Sequence, residues 1–136
     1  MQKQNARRWL PVVVVILLSL ATYWPVIGFD FTTWDDEQMV YANPRFNPPT
    51  WSNLTYYWMH PAWNLYMPLT TTTWGVLARI AYVQTPDAAG SHLNPAVFHL
   101  ANIAIHIAAA CVLYSLLREL LRRLQDEFDT SRDRVQ

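Results

Sequence analysis

Residues 9–29 read WLPVVVVILLSLATYWPVIGF, 21 consecutive positions without a charged side chain. At a rise of about 1.5 Å per residue, roughly 20 such residues cross the hydrocarbon core of a bilayer. A second uncharged stretch runs from Pro95 to Leu117. The pattern predicts an α-helical integral membrane protein with transmembrane helices over 9–29 and 95–117, joined by a long loop over 30–94. The rival for the first stretch is a cleavable signal peptide, with Lys3, Arg7 and Arg8 as its basic region and Ser19-Leu20-Ala21 as its cleavage site. The apolar run continues through Tyr23, Trp24, Val26, Ile27 and Phe29. It exceeds the roughly 7–15 residues of a signal core, which favours a retained anchor.

Charge distribution gives an orientation. The chain carries no net charge, and its 52% apolar content alone does not separate soluble from membrane classes. The first 28 residues, however, hold three basic and no acidic side chains, and Arg118, Arg122 and Arg123 follow the second stretch directly. Residues 29–94 hold five acids against Arg45 and Arg79. By the positive-inside rule both termini (1–8 and 118–136) are cytoplasmic and the loop 30–94 lies outside. The membrane is an inner or plasma membrane, or the endoplasmic reticulum in a eukaryote. No basic patch suits nucleic acid, and the single cysteine, Cys111, sits inside the second stretch, so no disulfide orders the loop.

The loop is ordered by other means. Residues 29–74 contain twelve aromatics, a density foreign to disordered segments. Trp and Tyr favour the membrane–water interface, where the ring is sheltered and its polar tip stays wet. The loop is therefore expected to lie along the outer membrane surface. Asn43-Pro44 and Asn47-Pro48-Pro49 mark turns. Thr50–Met59 reads as a short helix capped by Thr50 or Ser52. Residues 68–83 read as an interfacial helix, with Pro68 in the first turn and Leu69, Thr73, Trp74, Leu77, Ile80 and Ala81 on its apolar side. Residues 84–94 are a polar turn, and the end of the chain is a mixed-charge tail expected to fray.

Several residues can carry chemistry. FDFTTWDDEQMVYANP, at 29–44, places Asp35 and Asp36 side by side just past the first apolar stretch. Paired carboxylates there serve as a general base, hold a divalent cation, or are simply solvated. Arg45 and Arg79 are the loop's only cations and the natural contacts for an anionic ligand. His60 can meet a phosphate or a backbone carbonyl. His99, Asn102 and His106 share one face of the second stretch. The two histidines lie about 10 Å apart along the axis, too far to share a metal at about 2.0–2.1 Å per bond. Interhelical hydrogen bonding is the better reading, and ligation of a haem or pigment by one histidine is the rarer one. Asn53-Leu54-Thr55 is a glycosylation sequon, meaningful only in a secretory compartment.

The ordered set F-x-x-W-D-D-E-Q-M-V-Y-A-N-P, Y-M-P-L-T and L-N-P-A-V-F-H-L-A-N-I-A-I-H, after an apolar helix, resembles the start of the GT-C membrane glycosyltransferases. Within them it looks most like the protein O-mannosyltransferase-like enzymes, including those with tetratricopeptide repeats. The likeness covers roughly residues 9–123. It implies a many-helix membrane bundle that transfers a sugar from a polyprenyl-phosphate carrier with inversion. On that likeness Asp35 would be the catalytic base, and Asp36 would support it or help hold a divalent cation. Arg45, His60, Tyr66 and Arg79 would contact substrate. Tyr66-Met67-Pro68 would begin the helix lining the carrier groove, and His99, Asn102 and His106 would face the bundle interior. Relatives carry many more spans. The expectation is therefore an amino-terminal segment (a fragment, a split part or a remnant) inactive alone. The alternative is a non-catalytic accessory subunit of a larger membrane complex. Either needs lipid and further helices or subunits as partners.

Overall fold

The computed structural model of the chain describes residues 2–134, with side chains from Trp9 onward. The side chains of Lys3, Arg7 and Arg8 lie outside the described residues, as do residues 135–136. The architecture is mostly helical: α1 (Gln2–Tyr23), α2 (Trp51–Tyr56), α3 (Pro68–Ala81) and α4 (Pro95–Asp133). A 3-10 turn spans Trp24–Gly28 and a π-helical turn spans Glu37–Tyr41. Among the described residues there is no β-strand, only isolated bridges. Two helical stretches, Trp9–Gly28 and Pro95–Asp133, are long and apolar enough to cross a membrane. The chain divides into two compact units, Met1–Tyr23 with Ile103–Gln136, and Trp24–Asn102.

In the first unit α1 begins at Gln2, earlier than the expected span. Its leading residues are good helix formers. Pro11 consequently sits inside the helix and not in its first turn. There it removes one backbone hydrogen bond, a loss that membrane helices tolerate by local adjustment. A second proline, Pro25, again lacks an amide proton, and α1 ends at Tyr23, where the 3-10 turn Trp24–Gly28 takes over. Leu10, Val13, Val14, Leu17 and Leu18 are all exposed. So are Ile105, Val112, Leu113, Leu116 and Leu117 of α4.

The expected fraying tail is instead a continuation of α4 to Asp133. Acids and arginines recur at helical spacing there. Arg122 donates to Glu119 through Nε (3.0 Å) and Nη2 (2.9 Å), and through Nη1 to Asp126 (3.1 Å). Arg123 Nε donates to Glu119 at 2.9 Å. Pairs spaced i,i+3 and i,i+4 each add a few tenths of a kcal/mol to an exposed helix, roughly 0.2–0.5. The Glu119 carboxyl is held down at about 2 by these hydrogen bonds from Arg122 and Arg123.

The second unit has its own core, built from Val40, Phe46, Tyr57, Ala62, Ala78, Ala81, Leu93 and Phe98. α2 is shorter than expected, and of the two expected caps Thr50 fills the role: its hydroxyl accepts from the Asn53 amide at 3.3 Å. α3 begins at Pro68 as expected and ends at Ala81, where Tyr82 turns extended and pairs with Leu93. Val83 N–H donates to His92 O (2.7 Å) and Asn94 N–H to Ala81 O (2.9 Å), closing the loop between α3 and α4.

The buried face of α3 differs from the one its large residues predict. Thr71, Gly75, Ala78 and Ala81 are buried, whereas Leu69 is 72% and Ile80 67% exposed. Gly75 sets the phase. A Cβ there would run into Leu54 Cδ2 and come within 3.2 Å of Phe46 Cε1. Small residues let α2 approach, so Leu69 and Ile80 point away from the core while Trp74 and Leu77 pack at its margin.

Candidate functional site

The acidic stretch opens a helical turn in which Asp35 and Asp36 precede the π-helical residues Glu37–Tyr41. The two carboxylates have different surroundings. Asp36 is half-buried, and its Oδ2 accepts from the Thr32 amide (3.1 Å) and the Thr32 hydroxyl (3.0 Å). Asp35 is exposed and has no hydrogen-bond or ion-pair partner among the described residues. No third His, Cys, Asp or Glu among the described residues joins them in a metal-binding group.

The neighbouring Tyr41 hydroxyl is held above the ordinary phenol range, first by partial desolvation and then by Glu37, Asp36 and Asp87. It remains protonated at neutral pH. Tyr41 lines a shallow cleft of about 230 Å³ with Asp30, Phe31, Thr33, Asp87 and Pro95. Asp87 is committed to its own turn, accepting from the amides of Ala89 (2.9 Å) and Ser91 (2.8 Å).

Arg45 and His60 are brought together on one ring. The Arg45 Cζ lies 3.2 Å from the centroid of Tyr56. His60 stacks on Tyr56 with centroids 4.1 Å apart and planes 4° from parallel. Two groups this close cannot share a face, so Tyr56 is sandwiched between them. His60 Nδ1–H donates to Tyr56 O at 3.0 Å, which realises the backbone-carbonyl alternative and leaves Nε2 as the free ring nitrogen. Arg45, Tyr56, Tyr57, Gln38 and Trp63 line a hollow of about 280 Å³. Gln38 follows Asp35 by three residues on the same helical turn.

The other expected substrate contacts are placed apart from this hollow. Tyr66 donates its hydroxyl to Trp58 O at 3.1 Å. Arg79 donates to Pro49 O at 3.3 Å and lies 4.7 Å over the Trp51 ring. Both hold neighbouring turns in place. His99, Asn102 and His106 have unlike partners. His99 Nε2–H donates to Phe29 O at 3.1 Å, and His106 meets the Tyr23 ring edge-on at 4.8 Å. Asn102 is exposed. The chain thus supplies partners for two residues of this polar face, more than its two apolar stretches alone promise.

Two organising residues escaped the sequence reading. Asn43 is buried, donates to Tyr57 Oη (2.9 Å) and Met39 O (3.2 Å), and accepts from the Arg45 amide (3.0 Å). Asn47 donates to Tyr41 O (2.8 Å) and accepts from the His92 amide (3.1 Å), tying the acidic turn to the segment before α4. Each precedes a proline, which marks a turn, but nothing local reveals a long-range partner. Trp63 and Asn64 both have positive φ (49° and 62°) and form a tight turn closed by reciprocal bonds between Ala62 and Leu65. A tryptophan there is uncommon, and it is held outward over the hollow. Against known protein families, curated proteins and solved structures, the chain gives no match.

Proposed function

We propose that this chain is an integral membrane protein contributing the acid-bearing, amino-terminal part of a GT-C-like glycosyltransferase. It would use a polyprenyl-phosphate sugar as donor, with both termini in the cytoplasm and the loop 30–94 outside. The observation that carries the reading is the contrast at 35–36. Asp36 is consumed by Thr32, and Asp35 is an exposed carboxylate left free to act. Asp35 takes the proton of an acceptor hydroxyl as that oxygen forms its bond to the anomeric carbon. The bond to the carrier phosphate breaks and the phosphate leaves with the electron pair. Asp36 positions the turn. Further membrane helices, from a partner or a longer polypeptide, would complete the carrier groove. The test is a cell-based sugar-transfer assay with any co-encoded membrane partner present. Asp35→Asn abolishes transfer while the protein level is unchanged; undiminished transfer removes Asp35 as the base.

A second reading is a non-catalytic subunit of a membrane complex. It is favoured by the exposed aliphatic faces of α1 and α4, which need lipid or other helices to cover them. Purification in mild detergent followed by mass spectrometry separates the two readings. A stable co-purifying subunit together with transfer that survives Asp35→Asn favours the accessory role.

A further inference from the structure

The first unit holds a cleft of about 270 Å³ between α1 and α4, lined by Trp9, Val12, Tyr114, Arg118, Glu119 and Arg122. It lies where both apolar stretches end. Trp9 opens the stretch Trp9–Gly28, and Arg118 is the first charge after the uncharged run from Pro95. On α4 the step from Tyr114 to Arg118 is a single turn, about 6 Å. Aromatic rings followed by basic groups over that distance mark the level of lipid headgroups.

The charges in the cleft are unequally committed. Glu119 is engaged by Arg122 and Arg123, and Arg122 is further engaged by Asp126. Arg118 has no ion-pair or hydrogen-bond partner among the described residues, and the Tyr114 hydroxyl has none either. Ser115 has spent its proton on Cys111 O (2.8 Å). The lining therefore offers one uncommitted guanidinium with five donors and one phenol donor above an apolar floor. Its formal charge is +1, from Arg118 and Arg122 against Glu119.

We propose that this cleft seats an anionic phospholipid, its phosphodiester on Arg118 and Tyr114 and its acyl chains along the exposed aliphatics of α1 and α4. A phosphodiester carries one negative charge and presents two oxygens to the planar guanidinium, a bidentate match. A zwitterionic headgroup would bring an ammonium that needs a carboxylate, and Glu119 is already shared by two arginines. The inference rests on the membrane-embedded part of the proposed function and is independent of the sugar-transfer part.

The test uses the full chain purified in mild detergent, loaded with equal phosphatidylglycerol and phosphatidylcholine, and read by native mass spectrometry. The wild type retains phosphatidylglycerol about five-fold over phosphatidylcholine, the factor expected for one basic residue at an anionic surface. Arg118→Gln brings the ratio near one, whereas Arg132→Gln, which removes the same charge outside the cleft, leaves it unchanged. An unaltered ratio in Arg118→Gln, or an equal loss in Arg132→Gln, overturns the inference. So does displacement of the lipid by inorganic phosphate at matched concentration, which would mark a general anion site. Recovery of the chain in the soluble fraction without detergent would instead sink the membrane reading itself.

Discussion

Asp36 accepts two hydrogen bonds from a single residue, Thr32, through its amide at 3.1 Å and its hydroxyl at 3.0 Å. Its neighbour Asp35 accepts none from the described residues. Adjacent acids thus separate into a structural carboxylate and a free one. Asp36→Ala is expected to lower stability by about 1 kcal/mol, as for an exposed side-chain bond of this kind. Thr32→Ala should cost a similar amount and the double substitution less than the sum, because the residues share one interaction. Asp35→Ala should stay within about 0.5 kcal/mol. Thermal unfolding followed by tryptophan fluorescence in detergent reads all four; equal losses at 35 and 36 would contradict the division.

Gly75 of α3 lies directly against Leu54 of α2. Gly75→Val forces Leu54 and Phe46 out of place, and overpacking of this kind costs about 1–3 kcal/mol. Combining it with Leu54→Ala should recover part of the loss, since the two changes meet in one contact. Val76→Ala, one position along and 42% exposed, should be close to neutral. A Gly75→Val protein as stable as the wild type would mean that the helices do not pack as described.

Asn43 joins Met39, Arg45 and Tyr57 from the interior. Asn43→Ala leaves a buried phenol and a backbone amide unpaired, at a cost of about 1–3 kcal/mol. Asn43→Asp should cost more, because a carboxylate cannot donate to the Met39 carbonyl and would be charged in a buried setting. Hydrogen exchange at the 43–47 amides should quicken in both variants. Protection equal to the wild type in Asn43→Asp would show that the bond to the Met39 carbonyl is dispensable.

The Glu119 cluster gives the end of α4 a defined pH response. A carboxyl lowered from 4.5 to about 2 in the folded chain stabilises above the unfolded value, and the effect is lost as pH falls toward 2. Far-UV circular dichroism should therefore be flat above about pH 4.5 and lose helical signal below it. Glu119→Gln should remove the part of that slope due to this residue, and salt should reduce it because all partners are exposed. A slope unchanged in Glu119→Gln would assign the response to other acids.

The two apolar helices were legible because lack of charge over some twenty positions is a property of composition in a window. So were the starts of α3 and α4, since Pro68 and Asn94-Pro95 act locally, through a fixed proline φ and a side-chain cap. Ala96 N–H does bond to Asn94 Oδ1, at 3.0 Å. The buried face of α3 was legible only in part: Ala81 is buried and Trp74 and Leu77 meet the core, but Leu69 and Ile80 do not. Leu69 and Ile80 obey the same period as Thr71, Gly75 and Ala78, and only the approach of Leu54 decides the phase. The extension of α4 was missed because a mixed-charge tail reads as polar. Its arginines and acids stabilise helix only when their spacing is matched pair by pair. At the candidate site, identical residue types at 35 and 36 hide unequal environments, since the difference lies in Thr32. The pairing of Arg45 with His60 depends on Tyr56 between them, which no spacing rule supplies.

The length of α4 has a mechanical consequence. Its 39 residues extend about 58 Å, against about 30 Å of hydrocarbon. If the apolar part occupies the bilayer, residues 118–133 form a stiff post reaching about 24 Å beyond it. Anything attached to its tip, whether a fused reporter or a natural binding partner, would be held at a fixed stand-off from the lipid. Energy transfer between a label at the tip and a membrane dye should then report a single distance in place of the broad distribution of a loose tether.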